Sequence, residues 1–155
     1  MTTVQGIERR VLTPCRTLVR RGEIPVADMV AWLDGAFHAV ADHLKRVDVE
    51  PVGRPFARFA VFEGTIAVEA GFPVPHDVRG EPGIDLSALP GGPAVVAEHL
   101  GRYQDADHAY SMVRTWLHTH GYVAAGSHWE VFHTDPVFDP DAVRWRTEIV
   151  QPYRA

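Results

Sequence analysis

The sequence repeats itself at an offset of 79 residues, and this repeat constrains the fold more than any other feature. Five pairs of positions share the offset: Gly22 and Gly101, Asp28 and Asp107, Phe37 and Trp116, Glu69 and Glu148, and Pro73 and Pro152. The pairs occur in the same order along two stretches with the same succession of strand-like and helix-like patterns. The chain is therefore predicted to hold two copies of one structural unit.

Each copy is predicted to contain one helix and several strands. Apolar residues recur at helical spacing over 26–45, after Pro25, and again from about Asp105 to His120, where Gly121 follows as a C-terminal cap. A turn is predicted at Gly22, and a hairpin around Glu63 and Gly64. The strand-like segments are 9–24, 54–62 and 65–74 in the first copy and 92–103, 127–132 and 143–153 in the second.

The predicted boundaries place the first repeat at about 6–74 and the second at about 93–153, and 75–92, rich in Pro and Gly, is predicted to be a linker. Neither repeat is large enough to bury its apolar face alone. The prediction is one α+β domain with a duplicated β-α-β-β module, a pseudo-two-fold antiparallel sheet, two helices and a central ligand cleft.

Composition excludes several classes of function. A formal net charge of −5 with scattered basic residues argues against a nucleic-acid-binding surface. The single cysteine, Cys15, cannot form an intramolecular disulfide, and this is typical of a reducing compartment. The N-terminus has no apolar signal segment, and no apolar run approaches the ~20 residues that span a bilayer. We therefore expect a cytoplasmic protein, and the histidine spacings predict neither a metal site nor a cofactor.

Glu130 is the residue whose type fits its surroundings least, because strand interiors are poor in Glu. Alignment of the closing hairpins pairs it with Ala57, so the first copy builds the same strand without a carboxylate. Alternation places Glu130 on one face with His128 and Phe132, and Trp129 on the other face with Val131. A carboxylate beside aromatic rings predicts a site for a cationic or polarised aromatic ligand. The alternative is an exposed edge strand whose Glu faces water.

Glu69 and Glu148 recur in both copies, so they are first interpreted as scaffold carboxylates that pair with a nearby Arg. If Glu148 faces the same cavity as Glu130, either Glu148 or a His is expected to serve as a proton donor.

Four stretches together resemble the GyrI-like small-molecule-binding domain: PFARF, GRYQDADHAYSMVRTWLHTHGY, WEVFHTDP and WRTEIVQPY. This family includes the effector-binding domains of multidrug-responsive transcription regulators and DNA gyrase inhibitor proteins. The resemblance covers nearly the whole chain, and the family's two β-α-β-β modules around a pocket agree with the repeat.

The resemblance implies that Glu130 contacts the ligand and that aromatic residues line the pocket. Phe132 stands where the family often has Tyr, so a hydroxyl there is absent. The other candidate lining residues are Ala57, Phe59, Tyr103, Tyr110, Trp116, Trp129 and Trp145. No helix-turn-helix precedes the domain, so a stand-alone binder of aromatic, cationic or electrophilic small molecules is expected.

The resemblance leaves three functions open. The first is binding alone. The second adds hydrolysis of cyclopropanoid alkylating compounds, with Glu130 activating a water. The third is binding to a protein partner, either as a DNA gyrase inhibitor or as the effector-sensing partner of a transcription regulator. The oligomeric state is open as well.

Overall fold

The computed structural model describes residues 3–63, 65–102, 105–134, 141 and 145–155, without the side chains of 3–5 and 61–62. Over these ranges the chain forms two helices and antiparallel strands, which confirms the α+β fold class. The strands are β1 (Thr3–Leu12), β2 (Cys15–Ile24), β3 (Phe56–Phe62), β4 (Thr65–Pro73), β5 (Asp85–Leu89), β6 (Gly92–Leu100), β7 (Val123–Ala124), β8 (Trp129–Phe132) and β9 (Arg146–Arg154). The helices are α1 (Met29–Arg46), preceded by a 3-10 turn at Val26–Asp28, and α2 (Asp107–His120).

The chain divides into two compact units. The first unit is Thr13–Gly91, and the second unit combines Met1–Leu12 with Gly92–Ala155. No helix within the described ranges is long and apolar enough to cross a membrane.

In the first unit the strands follow the order β3-β4-β2-β5, and all neighbouring pairs are antiparallel. The apolar face of α1 packs on this sheet through a core that includes Leu18, Val40 and Leu44. The predicted helix over 26–45 and the predicted hairpin at 54–74 are confirmed. The linker prediction for 75–92 needs correcting, because Asp85–Leu89 form β5 and pair with β2.

The turn predicted at Gly22 is wrong, because β2 continues through this residue with Gly22 opposite Val68. The glycine has a packing role instead. A Cβ atom at Gly22 would lie 2.9 Å from the Trp32 ring. The missing side chain therefore lets the indole of α1 lie directly on the strand.

In the second unit the strands follow the order β1-β6-β9-β8, with the short β7 also paired to β9. The predicted boundaries placed most of β1 in the first repeat. In the structure, β1 pairs with β6 of the second unit along its length. One face of α2 packs on β6 and β9 through Val95, Val113 and Ile149. The predicted cap of this helix is confirmed, since Gly121 has a φ of 72° and donates its backbone N–H to the carbonyl oxygens of Leu117 and His118.

The two units share one internal arrangement. In each, a helix connects two strands, and the strand that follows them in the chain lies between them: β4 between β2 and β3, and β9 between β6 and β8. Ala57 lies opposite Ala70, and Glu130 lies opposite Ile149, 79 residues further on, so Ala57 and Glu130 hold the same position. Duplication of the module stays a prediction.

The registers match the 79-residue offset only in part. Gly22 lies opposite Val68, whose match at that offset is Thr147. Thr147 lies opposite His99, whereas Gly101 follows two residues later and donates its backbone N–H to Trp145 O. The sequence match between Gly22 and Gly101 is therefore not a structural match.

Candidate functional site

Glu130 faces the side of the second sheet that α2 covers. It lies directly opposite Ile149, and Ile149 is fully buried in the core beneath that helix. Directly opposed residues share a face, so the predicted alternation is confirmed for Glu130. Trp129, which is opposite Val150, lies on the other face and is 4% exposed. It cannot line a site on the Glu130 side of the sheet, and its prediction as a lining residue needs correcting.

Tyr110 is the residue that the fold brings to Glu130. It lies in the first turn of α2, and its hydroxyl donates a hydrogen bond of 2.8 Å to Glu130 Oε2. Tyr110 also packs against the apolar core of the second unit. The sequence named both residues as candidates, and the structure places them in contact.

The surroundings of this pair favour protonated forms. Burial raises the pKa of Glu130 to about 7, although the Tyr110 hydrogen bond acts in the opposite direction. Burial likewise raises the pKa of Tyr110 far above its ordinary value, and the charge and hydrogen bond of Glu130 add to that rise. Near neutral pH, Glu130 therefore exchanges readily between its acid and carboxylate forms, while Tyr110 remains a hydrogen-bond donor.

The described residues leave one carboxyl oxygen of Glu130 open to an additional partner. Oε2 accepts the Tyr110 hydrogen bond, and among the described residues Oε1 has no hydrogen-bond partner. The residue as a whole is partly exposed, with protein atoms surrounding most of the carboxyl group. The arrangement can therefore accept one hydrogen bond from an incoming group, or face its positive charge.

Trp116 belongs to a different aromatic cluster. Its ring stacks on His120 with centroids 4.1 Å apart and lies 5.4 Å from the ring of Tyr153. The guanidinium of Arg9 lies over the rings of Trp116 and Tyr122, at 5.5 and 5.6 Å. These contacts account for Trp116 as a member of a partly buried cluster near the C-terminal end of α2, whereas Tyr110 lies in the first turn of that helix.

The remaining candidates are spread over both units. Phe132 is buried two residues from Glu130 and shares its face, and Trp145 is half-buried just before β9. Ala57 and Phe59 belong to β3 of the first unit, where Ala57 is fully buried and Phe59 is half-buried. Tyr103 lies outside the described residues. Within the second unit, the structure thus supports Glu130, Tyr110 and Phe132 as residues of one face.

Glu148 lies on the face opposite to Glu130, because its cross-strand partner Val131 alternates with Glu130. The condition for its part as proton donor is therefore not met. Arg10 Nη2 lies 2.7 Å from Oε2, and His133 Nε2 lies 2.5 Å from Oε1. Burial raises the pKa of Glu148, but the hydrogen bonds and charges of His133 and Arg10 outweigh it, so the net pKa is lowered.

Glu69 has similar contacts at the equivalent position of the first unit. Arg21 Nε lies 3.2 Å from its Oε2, and the Ser87 hydroxyl donates to the same carboxylate. An Arg-paired carboxylate at both positions favours the structural interpretation of Glu69 and Glu148.

Sequence reasoning missed two features of the second unit. His128 packs against Tyr110, with ring centroids 5.0 Å apart and an interplanar angle of 81°. Alternation placed His128 on the correct face, and this was the available signal. The second feature is that Arg10 and His133 both contact Glu148, and it was missed because these residues are far apart in sequence. Within the described ranges, no group of three or more His, Cys, Asp or Glu side chains is placed to hold a metal ion.

Known structures share this fold. The chain matches the EcmrR C-terminal domain with 17% identity and a TM-score of 0.84, over 96% of this chain and 97% of that one. The EcmrR–DNA complex matches with 18% identity and a TM-score of 0.83, over 96% of this chain but only 57% of the EcmrR chain. A hydrolase from Listeria innocua matches with 15% identity and a TM-score of 0.68, over 96% and 91% of the two chains.

A further match is SAV2435 bound to tetraphenylphosphonium, with 12% identity and a TM-score of 0.63, over 97% of this chain and 95% of that one. No curated protein matches the sequence. The sequence pattern that defines the GyrI-like small molecule binding domain matches residues 12–154. The chain therefore belongs to the GyrI-like small-molecule-binding domain family.

Proposed function

We propose that this protein binds aromatic small molecules that are cationic or electrophilic, and that Glu130 is the residue that recognises their charge. The observation that carries the proposal is the Tyr110–Glu130 pair. Tyr110 occupies one carboxyl oxygen, and the other has no hydrogen-bond partner among the described residues. Within the described part of the chain, the hydrogen bond of that neutral hydroxyl is what lowers the pKa of Glu130, and no described cation contributes. An aromatic cation would supply the missing countercharge.

The bound molecule of a structural relative supports this ligand class. SAV2435 binds tetraphenylphosphonium, a cation surrounded by four phenyl rings. Tetraphenylphosphonium has no hydrogen-bond donor, so its attraction to a carboxylate is purely electrostatic, while its rings can contact apolar and aromatic side chains. It is therefore a suitable first probe.

Isothermal titration calorimetry with tetraphenylphosphonium chloride at pH 8 tests the proposal. We expect Glu130→Gln to weaken binding by about tenfold, because the amide keeps the shape and the acceptor but removes the charge. Glu50→Gln is the matched control, since Glu50 is exposed and its substitution changes the net charge equally. Equal affinities of the wild type and Glu130→Gln would refute the assignment of Glu130.

A second candidate function is hydrolysis of a strained cyclopropane ring in an electrophilic ligand. The pKa of Glu130, about 7, favours it, because a general base works best when its pKa is near the operating pH. Glu130 would take a proton from water as the water oxygen bonds to a ring carbon. The strained C–C bond breaks, and the product takes up a proton where the bonding electron pair is received, so the net change is addition of water.

Mass spectrometry after incubation with a cyclopropanoid alkylating compound tests this reaction. We expect a product heavier by one water with the wild type, and formation at the background rate with Glu130→Gln. Background formation with both proteins would exclude hydrolysis of that compound and leave the binding proposal standing.

A further inference from the structure

His128 lies against the aromatic ring of the residue that contacts Glu130. The rings of His128 and Tyr110 have centroids 5.0 Å apart and planes at 81°, an edge-to-face contact. His128 stands just before β8, two residues from Glu130, and strand alternation points both side chains to the face that α2 covers. Three side chains thus form a chain of contacts on one face: imidazole, phenol and carboxyl.

Tyr110 requires support from its neighbours because of its place in the helix. It lies in the first turn of α2, where the N-cap residue, Ala106, provides no side-chain hydrogen bond to the free backbone N–H groups. Its backbone N–H donates to Ala106 O at 3.1 Å. A helix end of this kind frays more easily than a capped one. The hydroxyl must nevertheless remain 2.8 Å from Glu130 Oε2, and hydrogen bonds weaken steeply with misalignment.

The Tyr110 side chain rotates about two torsions, and both must be fixed for the hydroxyl to reach Glu130. Packing against the core of the second unit restrains one side of the ring. An edge-to-face contact restrains the ring's tilt as well, because turning the phenol away from this orientation weakens the contact. His128 comes from the strand segment that carries Glu130, so it fixes the phenol relative to the carboxyl itself.

We propose that His128 is a positioning residue, whose ring holds Tyr110 so that its hydroxyl stays on Glu130 Oε2 and Glu130 Oε1 faces the ligand. The last clause rests on the proposed function, whereas the contact between the three side chains does not. The feature that matters is the flat ring of His128 and not its charge. Phenylalanine should therefore replace it, and a side chain without a ring should not.

The titration of Glu130 reports on this positioning without any ligand. The Tyr110 hydrogen bond lowers the pKa of Glu130 against the effect of burial, so its loss must raise that pKa. The 13C chemical shift of the Glu130 carboxyl carbon, followed by NMR against pH, gives the midpoint, and Glu130→Gln assigns the signal.

Tyr110→Phe removes the hydrogen bond to Glu130 completely, and we expect it to raise the titration midpoint of Glu130 above about 7. This change is the reference for the other variants. His128→Ala should raise it by about half of that change or more, and His128→Phe should keep the wild-type midpoint. The double variant Tyr110→Phe with His128→Ala should match Tyr110→Phe alone, because both substitutions act through one hydrogen bond. His118→Ala, at an exposed position near the far end of α2, is the control and should leave the midpoint unchanged.

Several results would overturn the proposal. A wild-type midpoint in His128→Ala would show that Tyr110 holds its place without His128. An unchanged midpoint in Tyr110→Phe would show that the hydrogen bond does not act on Glu130, and additive changes in the double variant would show that His128 acts by another route. If His128→Ala does not fold, His128→Leu replaces it with the same expectation. If the midpoints are as expected but the wild type and Glu130→Gln bind tetraphenylphosphonium equally, the proposed function alone is refuted.

Discussion

Replacement of Glu130 by glutamine should stabilise the protein at high pH and have little effect at low pH. The pKa of Glu130 is raised by burial from 4.5 to about 7 in the folded state. Between pH 4.5 and about 7, the folded protein therefore still binds a proton that the unfolded chain has released. Stability contributed by this group is fully present below pH 4.5 and is lost as the pH rises through about 7.

The magnitude follows from the two pKa values. Each unit of pKa corresponds to about 1.36 kcal/mol, so a rise from 4.5 to about 7 amounts to about 3 kcal/mol above pH 7. Because Glu130 keeps some exposure, water solvates part of the charge, and about 3 kcal/mol is an upper value. Glutamine has no charge to bury and can still accept the Tyr110 hydrogen bond through its carbonyl oxygen.

Urea denaturation of the wild type and Glu130→Gln at pH 5 and pH 8 measures the effect. The variant should be more stable than the wild type by less than about 1 kcal/mol at pH 5 and by up to about 3 kcal/mol at pH 8. Glu50→Gln, at an exposed position, serves as the control and should show no such change between the two pH values. A difference between Glu130→Gln and the wild type that is the same at both pH values would refute the reasoning, because the carboxyl would then have an ordinary pKa when folded.

Three further predictions concern charge and backbone. Glu148→Gln should destabilise the protein by about 1 kcal/mol at neutral pH, since Arg10 loses a charged partner but is 41% exposed and keeps its ion pair with Glu8. The loss should shrink in acid, where the wild-type carboxylate is protonated as well; urea midpoints measure it. Tetraphenylphosphonium affinity should rise about tenfold from pH 6 to pH 8 by calorimetry, and Glu130→Gln should remove this dependence. Gly121→Ala should lower stability by about 1 kcal/mol, because the backbone φ of Gly121 is 72°. Gly35→Ala, at an exposed position in the interior of α1, should instead raise stability by about 0.5–1 kcal/mol. Thermal unfolding of the two variants measures both changes.

Sequence patterns with a fixed period were sufficient for the helices and the closing hairpins. Helical spacing located both helices within three residues, and alternation assigned Glu130 and Trp129 to opposite faces. The alignment of Ala57 with Glu130 is also supported by strand register, because the two residues face Ala70 and Ile149. These features depend on neighbours along the chain, which a sequence displays directly.

Features that depend on distant neighbours could not be read in the same way. Gly22 was predicted to form a turn because glycine usually marks one, but its role depends on Trp32 lying above it. The strand β5 was hidden in a Pro- and Gly-rich stretch, because five residues pairing at a sheet edge need no apolar pattern. Trp116 was an equal candidate to Tyr110 by residue type. Only the packing shows that Trp116 stacks on His120 while Tyr110 reaches Glu130.

The three carboxylates compared between the units separate scaffold from function. Glu69 and Glu148 hold equivalent positions, and each is paired with an Arg of its own unit. Glu130 occupies a position where the first unit has the fully buried Ala57, so the fold accepts a residue there that has no charge. Among the described residues, its charge receives a hydrogen bond from the neutral hydroxyl of Tyr110, and this charge reduces stability above pH 7. A group that the fold does not need, and that destabilises it when ionised, supports our proposal that Glu130 binds a cationic ligand.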